Sequence, residues 1–415
     1  MPPVAEHALA VRADFPIFER GAGEPGSKPL IYLDSGATSQ KPRQVIEALT
    51  RHLAEHNANV HRGVYPLAQE ADEAFEAARG AIASFTGAEP RTTIFTKNAT
   101  EAINLVARSW GGANLGPGDA VLITQMEHHA NLVPWQQLCR ERGAELRWLE
   151  VDEHGEISLA QLDAELERGD VKLLAVAHVS NVLGTINPVA EMAARARAAG
   201  ALTLIDGAQA VPQMPVDVER IGADFYVWTG HKAVGPTGIG VLHGRRSLLE
   251  EMEPFLTGGD MIASVSMQET TWNELPFKFE AGTPPIAEAV GLAAAVRYLD
   301  GIGMDRVREH ERALTELMLA RLAEVPGVRV VGPPAGRERG ALASFTVEGM
   351  HPHDIAELLG REGVCVRAGH HCAQPLMRCL GVAATARASL GVYNEESDVE
   401  ALAQALVKGR EVFGL

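Results

Sequence analysis

From about residue 90 the chain alternates apolar runs of strand length with polar loops and helical patterns. The runs are TIFT (93–96), AVLIT (120–124), ELRWLEV (145–151), KLLAVAHV (172–179), ALTLID (201–206), DFYVWT (224–229) and GIGVLHG (238–244). Between them lie segments such as NLVPWQQLCRERG and the alanine-rich AEMAARARAAG, which predict helices because alanine has the highest helix propensity. Continuous apolar strands alternating with helices predict a mostly parallel sheet covered on both faces. GIGVLHG follows DFYVWT too closely for a helical crossover, so one antiparallel strand is expected.

Beyond about residue 300 the texture changes. MDRVREHERALTELMLARLAEV predicts a long helix, followed by the strand-like VRVVG, ALASFTVEG, VCVRAG and ATARASLGV with helices between and after them. That order suggests a small α+β domain, with GPPAGRERG as a loop inside it. The division read from the chain is an N-terminal extension (1–30), Gly/Pro-rich around GAGEPGSKP and peripheral, a large domain (31–295), and a small C-terminal α+β domain (296–415).

Composition narrows the class. In 415 residues, 37 Lys+Arg against 54 Asp+Glu leave a formal charge of −17, which argues against nucleic acid or an anionic membrane as a partner. The 46% hydrophobic and 22% charged content suits a globular chain with a sizeable core. No apolar run approaches the ~18 residues of a spanning helix. MPPVAEHALAVRADFP lacks the basic-then-apolar pattern of an export signal, so a cytoplasmic protein is expected. Four cysteines (Cys139, Cys365, Cys372, Cys379) make no disulfide framework, and none forms the close pair zinc prefers. His370 and His371 beside Cys372 leave a metal site conceivable, but a single functional thiol is the better hypothesis, and no metal is predicted.

Open α/β sheets bind ligands beyond the carboxyl ends of their strands. AVLIT is followed by QMEHHAN with His128 and His129, KLLAVAHV by SNVLGT with Asn181, ALTLID by Asp206 and Gln209, and DFYVWT by Thr229, His231 and Lys232. Each alone reads as a solvated loop residue; together they point toward one crevice. After TIFT, Asn98 or Thr100 can cap a helix whose free N–H groups also suit a phosphate. A phosphate cradle, a buried carboxylate, a lysine and an imidazole fit pyridoxal phosphate. The lysine bonds to the aldehyde. The carboxylate keeps the ring nitrogen protonated, so that the ring is an electron sink, and the imidazole stacks on the ring.

At these residues the chain resembles the class V aminotransferase-like family of pyridoxal-phosphate enzymes, and within it the group II, SufS-type cysteine desulfurases. The likeness runs through YLDSGATSQKP (32–42), NVHRG (59–63), TEAINLVA (100–107), EHHANLVPWQ (127–136), HVSNVLG (178–184), DGAQAVP (206–212), TGHKAVGPTGIGVL (229–242), FEAGTP (279–284), RAGHHCAQPLM (367–377) and RASL (387–390). It implies a PLP-dependent fold type I. It implies Lys232 as the cofactor-linked lysine and acid/base, His128 as a catalytic residue stacked on the ring and relaying protons, Asp206 on the ring nitrogen and Gln209 on the ring hydroxyl. Thr100, Thr229 and His231 would hold the phosphate, and Thr283 would reach the phosphate of a neighbouring subunit in a homodimer. Asn181 and Arg387 would hold the substrate carboxylate, with His61 and Arg367 at the entrance. Many relatives carry a second threonine where this chain has Ala99, whose backbone N–H can still serve.

Cys372 lies in a loop beside two histidines, where an imidazolium would activate a thiol. The implied reaction converts L-cysteine to L-alanine, with sulfur held as a persulfide on Cys372 and passed to a Suf-type acceptor protein for iron–sulfur cluster assembly. A selenocysteine lyase or dual-selectivity enzyme is the nearest alternative. An aminotransferase or kynureninase-like reaction gives no reason for the thiol. A catalytically inactive sulfur carrier or scaffold would not need Lys232, Asp206 and His128.

Overall fold

Strand order and direction follow the hydrophobic pattern. A computed structural model describes residues 7–20, 28–61 and 63–414. Seven strands pair in the order Thr93–Thr96, Gly240–Gly244, Phe225–Thr229, Leu202–Asp206, Val171–Ala177, Ala120–Thr124 and Glu145–Leu149. Gly240–Gly244 is antiparallel to both neighbours and every other pairing in the sheet is parallel, as the short DFYVWT–GIGVLHG connection requires. Side chains on successive strand residues enter different cores. Leu122, Leu174, Val176 and Ile205 pack on one face, and Val121, Ile123, Leu173 and Leu204 on the other. Burial on both faces is why these strands read as unbroken apolar runs.

The helix Ile286–Ile302 packs on the helices Arg43–Glu55 and Pro66–Phe85, and ends at Gly303, whose φ is 91°. The helix Met304–Glu324 then packs on Glu396–Phe413 and on a four-stranded antiparallel sheet ordered Val328–Val331, Leu342–Val347, Thr385–Ser389, Arg367–Gly369. The chain before the main sheet also reaches this second layer. Ile31–Tyr32 pairs with Val364–Cys365, and Leu33 lies in the same core as Phe345 and Leu402.

Residues 7–20 correct the expectation that the N-terminal stretch is peripheral. Phe15 is fully buried against the rings of Tyr298 and Tyr393, and Arg12 donates to Asp398 at 2.8 Å. Burying one such ring contributes about 2 kcal/mol, and with Leu9, Phe18 and the Arg12 pair it holds a segment that no periodic pattern marks. The glycines of GAGEPGS (21–27) lie outside the described residues.

At the edge of the sheet, Gly240 lets a strand pass beneath the turn that follows Thr93–Thr96. A Cβ there would lie 2.3 Å from the carbonyl carbon and 2.5 Å from the Cα of Asn98, both backbone atoms. Overpacking of this kind costs ~1–3 kcal/mol. Gly240→Ala is therefore expected to lower the unfolding free energy of the cofactor-free protein by ~1–3 kcal/mol, read as a lower denaturant midpoint at unchanged slope, and to displace the Asn98 turn. An unchanged midpoint would show that the turn yields freely.

Candidate active site

Five strand ends and two segments of the second layer line one cleft. Asn98, Ala99 and Thr100 face it from the first strand of the chain order, His128 from the next, Asn181, Asp206 and Gln209 from the centre, and Thr229, His231 and Lys232 from the strand after. Arg367, His371, Cys372 and Arg387 close it from the C-terminal layer. The residues predicted from strand ends are thus brought together.

At one end Asn98 caps the helix Ala99–Val106, its Oδ1 accepting from the N–H of Glu101 at 3.0 Å. The other N–H groups of the first turn have no intrahelical acceptor, and with the helix dipole they favour an anion. Thr229 and His231 line the same cleft. Burial lowers the His231 pKa to about 4, so at neutral pH the imidazole is uncharged and can still donate one N–H.

His128 is set by a hydrogen-bonded turn. Glu127 is buried and accepts from Thr124 Oγ1 (2.6 Å), Ala177 N (3.0 Å) and Asn131 Nδ2 (2.6 Å). His128 Nδ1 accepts from Ala130 N at 3.0 Å, which places its ring proton on Nε2. Burial, with Lys232 nearby, lowers its pKa to about 3. At the cleft floor, Asp206 Oδ1 accepts from Ala208 N at 3.0 Å. Burial pushes this carboxyl upward, while the Ala208 N–H and Lys232 pull it down.

Lys232 is half-buried in the cleft, and desolvation lowers the pKa of its amine to about 8 against the pull of Asp206. Its backbone is fixed just upstream. The carbonyl of His231 accepts from Ser39 N (2.9 Å), Ser39 Oγ (3.0 Å), Thr38 Oγ1 (3.1 Å) and Lys41 Nζ (3.0 Å). Four donors on one carbonyl hold the turn that carries both His231 and Lys232. The motif YLDSGATSQKP was legible, but this use of Thr38, Ser39 and Lys41 was not.

At the opposite end Arg387, only 2% exposed, donates through Nη1 to the Asn181 carbonyl at 3.0 Å and through Nη2 to Asp34 at 3.1 Å. Its Nε has no partner among the described residues, which leaves a buried donor for a carboxylate. Asp34 had no assigned role in the sequence. Asn181 lies where expected, but its amide Nδ2 is given to the His371 carbonyl at 2.7 Å. Gln209 Nε2 likewise donates to the Gly36 carbonyl at 2.8 Å.

The thiol loop is strained. His371 and Cys372 have φ of 52° and 56°, consecutive left-handed residues that are not glycine. Such conformations cost ~1–3 kcal/mol each and persist only where their surroundings over-determine them. The expected imidazolium is corrected here. His371 is buried, its pKa lowered to about 3, with Nε2 2.9 Å from Thr385 Oγ1, so it carries no charge. The positive groups that act on the thiol are Lys232 and Arg387. Two other predicted residues are not in the cleft lining. His61 packs edge-on against Phe75 and Phe277 and pairs with Asp72 at 3.0 Å, and Thr283 is exposed.

The donor set fits pyridoxal phosphate. An anion seat at a helix N-terminus, a primary amine, a stacking imidazole and a buried carboxylate share one cleft, and the orphaned Arg387 Nε awaits a further anion.

Comparisons with known proteins agree with this donor set. Residues 31–402 match the Aminotransferase class-V family. A cysteine desulfurase of Haloferax volcanii is 50% identical over 97% of each chain. A protein of Halalkalibacterium halodurans named a probable cysteine desulfurase is 49% identical over 98% of this chain and 99% of its own. Among solved structures, the apo cysteine desulfurase of Thermococcus onnurineus superposes with a TM-score of 0.92 at 39% identity, covering 98% of each chain. The cysteine desulfurase CsdA of Escherichia coli gives a TM-score of 0.89 at 37% identity, covering 99% of each.

Lys232 makes stability depend on pH in a defined direction. Its folded pKa of about 8 lies below that of a free lysine, so between the two values the unfolded chain binds more protons and stability rises with pH. In cofactor-free protein, Lys232→Met is expected to be more stable than wild type at pH 7. That advantage should shrink by up to about 3 kcal/mol on raising the pH through 8 toward 10.5. A difference in unfolding free energy independent of pH would mean the amine is not buried as a charge.

Proposed function

Because the chain belongs to the aminotransferase class-V family, we propose that it works as a cysteine desulfurase in which sulfur leaves L-cysteine for the thiol of Cys372. Its cofactor is pyridoxal 5'-phosphate. The observation that carries the reading is that Lys232, Arg387 and Cys372 line the same cleft. An aminotransferase would need the first two and would have no use for a thiol on a strained loop.

When bound, pyridoxal phosphate supplies an electron sink for the negative charge left at the substrate's α-carbon. Thr100, Thr229, His231 and the N–H of Ala99 would hold its phosphate, and Asp206 its ring nitrogen. Arg387 seats the substrate carboxylate through the Nε left free by Asp34 and Asn181. Lys232 Nζ takes the α-proton; a pKa near neutrality suits an amine that must both accept and return a proton. His128, uncharged and with its proton on Nε2, offers that N–H as a donor in the cleft. Cys372 attacks as thiolate, the nucleophilic form of a thiol, from the cleft it shares with Lys232 and Arg387. Its sulfur bonds to the substrate sulfur, the substrate's carbon–sulfur bond breaks with its electron pair going to carbon, and protonation of that carbon yields L-alanine. The persulfide on Cys372 then passes to a thiol of an acceptor protein.

Further parts of the reading concern the cell. We assign the persulfide to a Suf-type acceptor in iron–sulfur cluster assembly in the cytoplasm. Cys372 is half-buried on a short loop, so the acceptor must come to the cleft mouth. A homodimer suits the exposed Leu53 and Tyr65, and suits Thr283, which serves no purpose in its own chain's cleft.

Two substitutions test this. Cys372→Ala should keep the yellow absorbance of the lysine-linked cofactor and lose at least 100-fold of cysteine-dependent alanine formation, measured together with sulfide in the presence of candidate acceptors. Lys232→Ala should lose the covalent, borohydride-reducible link. Undiminished sulfur transfer by the first variant would overturn the role of Cys372.

A further inference from the structure

The loop carrying Cys372 belongs to the C-terminal layer, yet two of the groups that hold it come from the main sheet. The carbonyl of Cys372 accepts from the backbone N–H of His129 at 2.7 Å, and the ring Nε2 of His129 accepts from Gln374 N at 3.1 Å. The carbonyl of His371 accepts from Asn181 Nδ2 at 2.7 Å. Both carbonyls belong to the two residues whose φ is positive. The donors therefore meet the strained peptides themselves.

We propose that Asn181 and His129 are positioning residues that clasp this loop across the two layers and hold Cys372 in its left-handed form, with its sulfur turned into the cleft. A relaxed loop would carry the thiol elsewhere, because histidine and cysteine at these positions have no intrinsic reason to keep φ near +50°. The proposal rests on Cys372 being the sulfur acceptor and adds how it is aimed. The adjacent histidines then have separate roles, His128 facing the cofactor site and His129 holding the thiol loop. Asn181 gains two functions. Its backbone carbonyl receives Arg387 Nη1 at 3.0 Å while its side chain holds the loop, so substrate seat and thiol share one anchor.

The test measures the thiol directly. Holoenzyme is treated with iodoacetamide, and the rate of carboxamidomethylation at Cys372 is followed by mass spectrometry of the peptide that contains it. Asn181→Asp keeps the size of the side chain but cannot donate to the His371 carbonyl. His129→Ala removes the acceptor for Gln374. Both are expected to raise the rate at least fivefold, and His129→Gln, which restores an acceptor, should return it to within twofold of wild type. Rates within twofold of wild type in both Asn181→Asp and His129→Ala would overturn the clasp and leave Asn181 a substrate ligand alone. If Asn181→Asp fails to fold, the comparison of His129→Ala with His129→Gln decides. Normal sulfur transfer by Cys372→Ser would sink the reading of the thiol's function, while the alkylation rates would still judge the clasp.

Discussion

A half-buried, partly desolvated lysine amine at the carboxyl ends of a mostly parallel sheet is the constraint on which the site depends. A lone buried ammonium is costly, and proteins meet that cost by pairing the charge or by shifting the pKa. Here both occur. Asp206 ends the central strand and opposes the shift, while burial carries the amine down to about 8. The sheet makes this possible because parallel strands deliver their ends to one edge, and a strand buried on both faces holds its last residue rigidly. The same desolvation that would destabilise an idle lysine leaves this one able to exchange protons near neutral pH.

Rigidity upstream of Lys232 comes from far away in the chain. Residues 38–41 place four donors on the carbonyl of His231, and Gln209 takes the carbonyl of Gly36. Asp34, a few residues earlier, takes Arg387. The stretch from 34 to 41 therefore ties the lysine turn to the arginine of the C-terminal layer, and residues 31–33 join that layer directly. What looks like a leader to the main sheet is the strap between the two halves of the cleft.

This explains which parts could be read from the chain. The strands were legible because burial on both faces leaves unbroken apolar runs, and the single antiparallel strand was legible because no helix fits between DFYVWT and GIGVLHG. Lys232, Asp206 and His128 were legible because they sit at strand ends, a position that sequence order alone defines. Asp34 on Arg387, Ser39 on His231 and Asn181 on His371 were not, since each joins residues about 190 or more positions apart and leaves no periodic trace. Phe15 escaped for a similar reason: its segment is held by the scattered contacts of Leu9, Arg12, Phe15 and Phe18, which leave no period.

The neutral histidine beside Cys372 shows why local sequence misleads about charge. HHC reads as a thiol among imidazoles, and an imidazolium would stabilise a thiolate. Burial removes that charge from His371 for the reason that it depresses Lys232: an ionised ring without water or a counter-charge is disfavoured. An arginine loses its proton far less readily, so Arg387 stays cationic under the same burial. The field on the thiol is thus set by groups 140 and 15 positions away in the chain, Lys232 and Arg387. In a chain with a net charge of −17, these residues and Arg367 make the cleft positive. An amino-acid carboxylate and a phosphate are drawn to it.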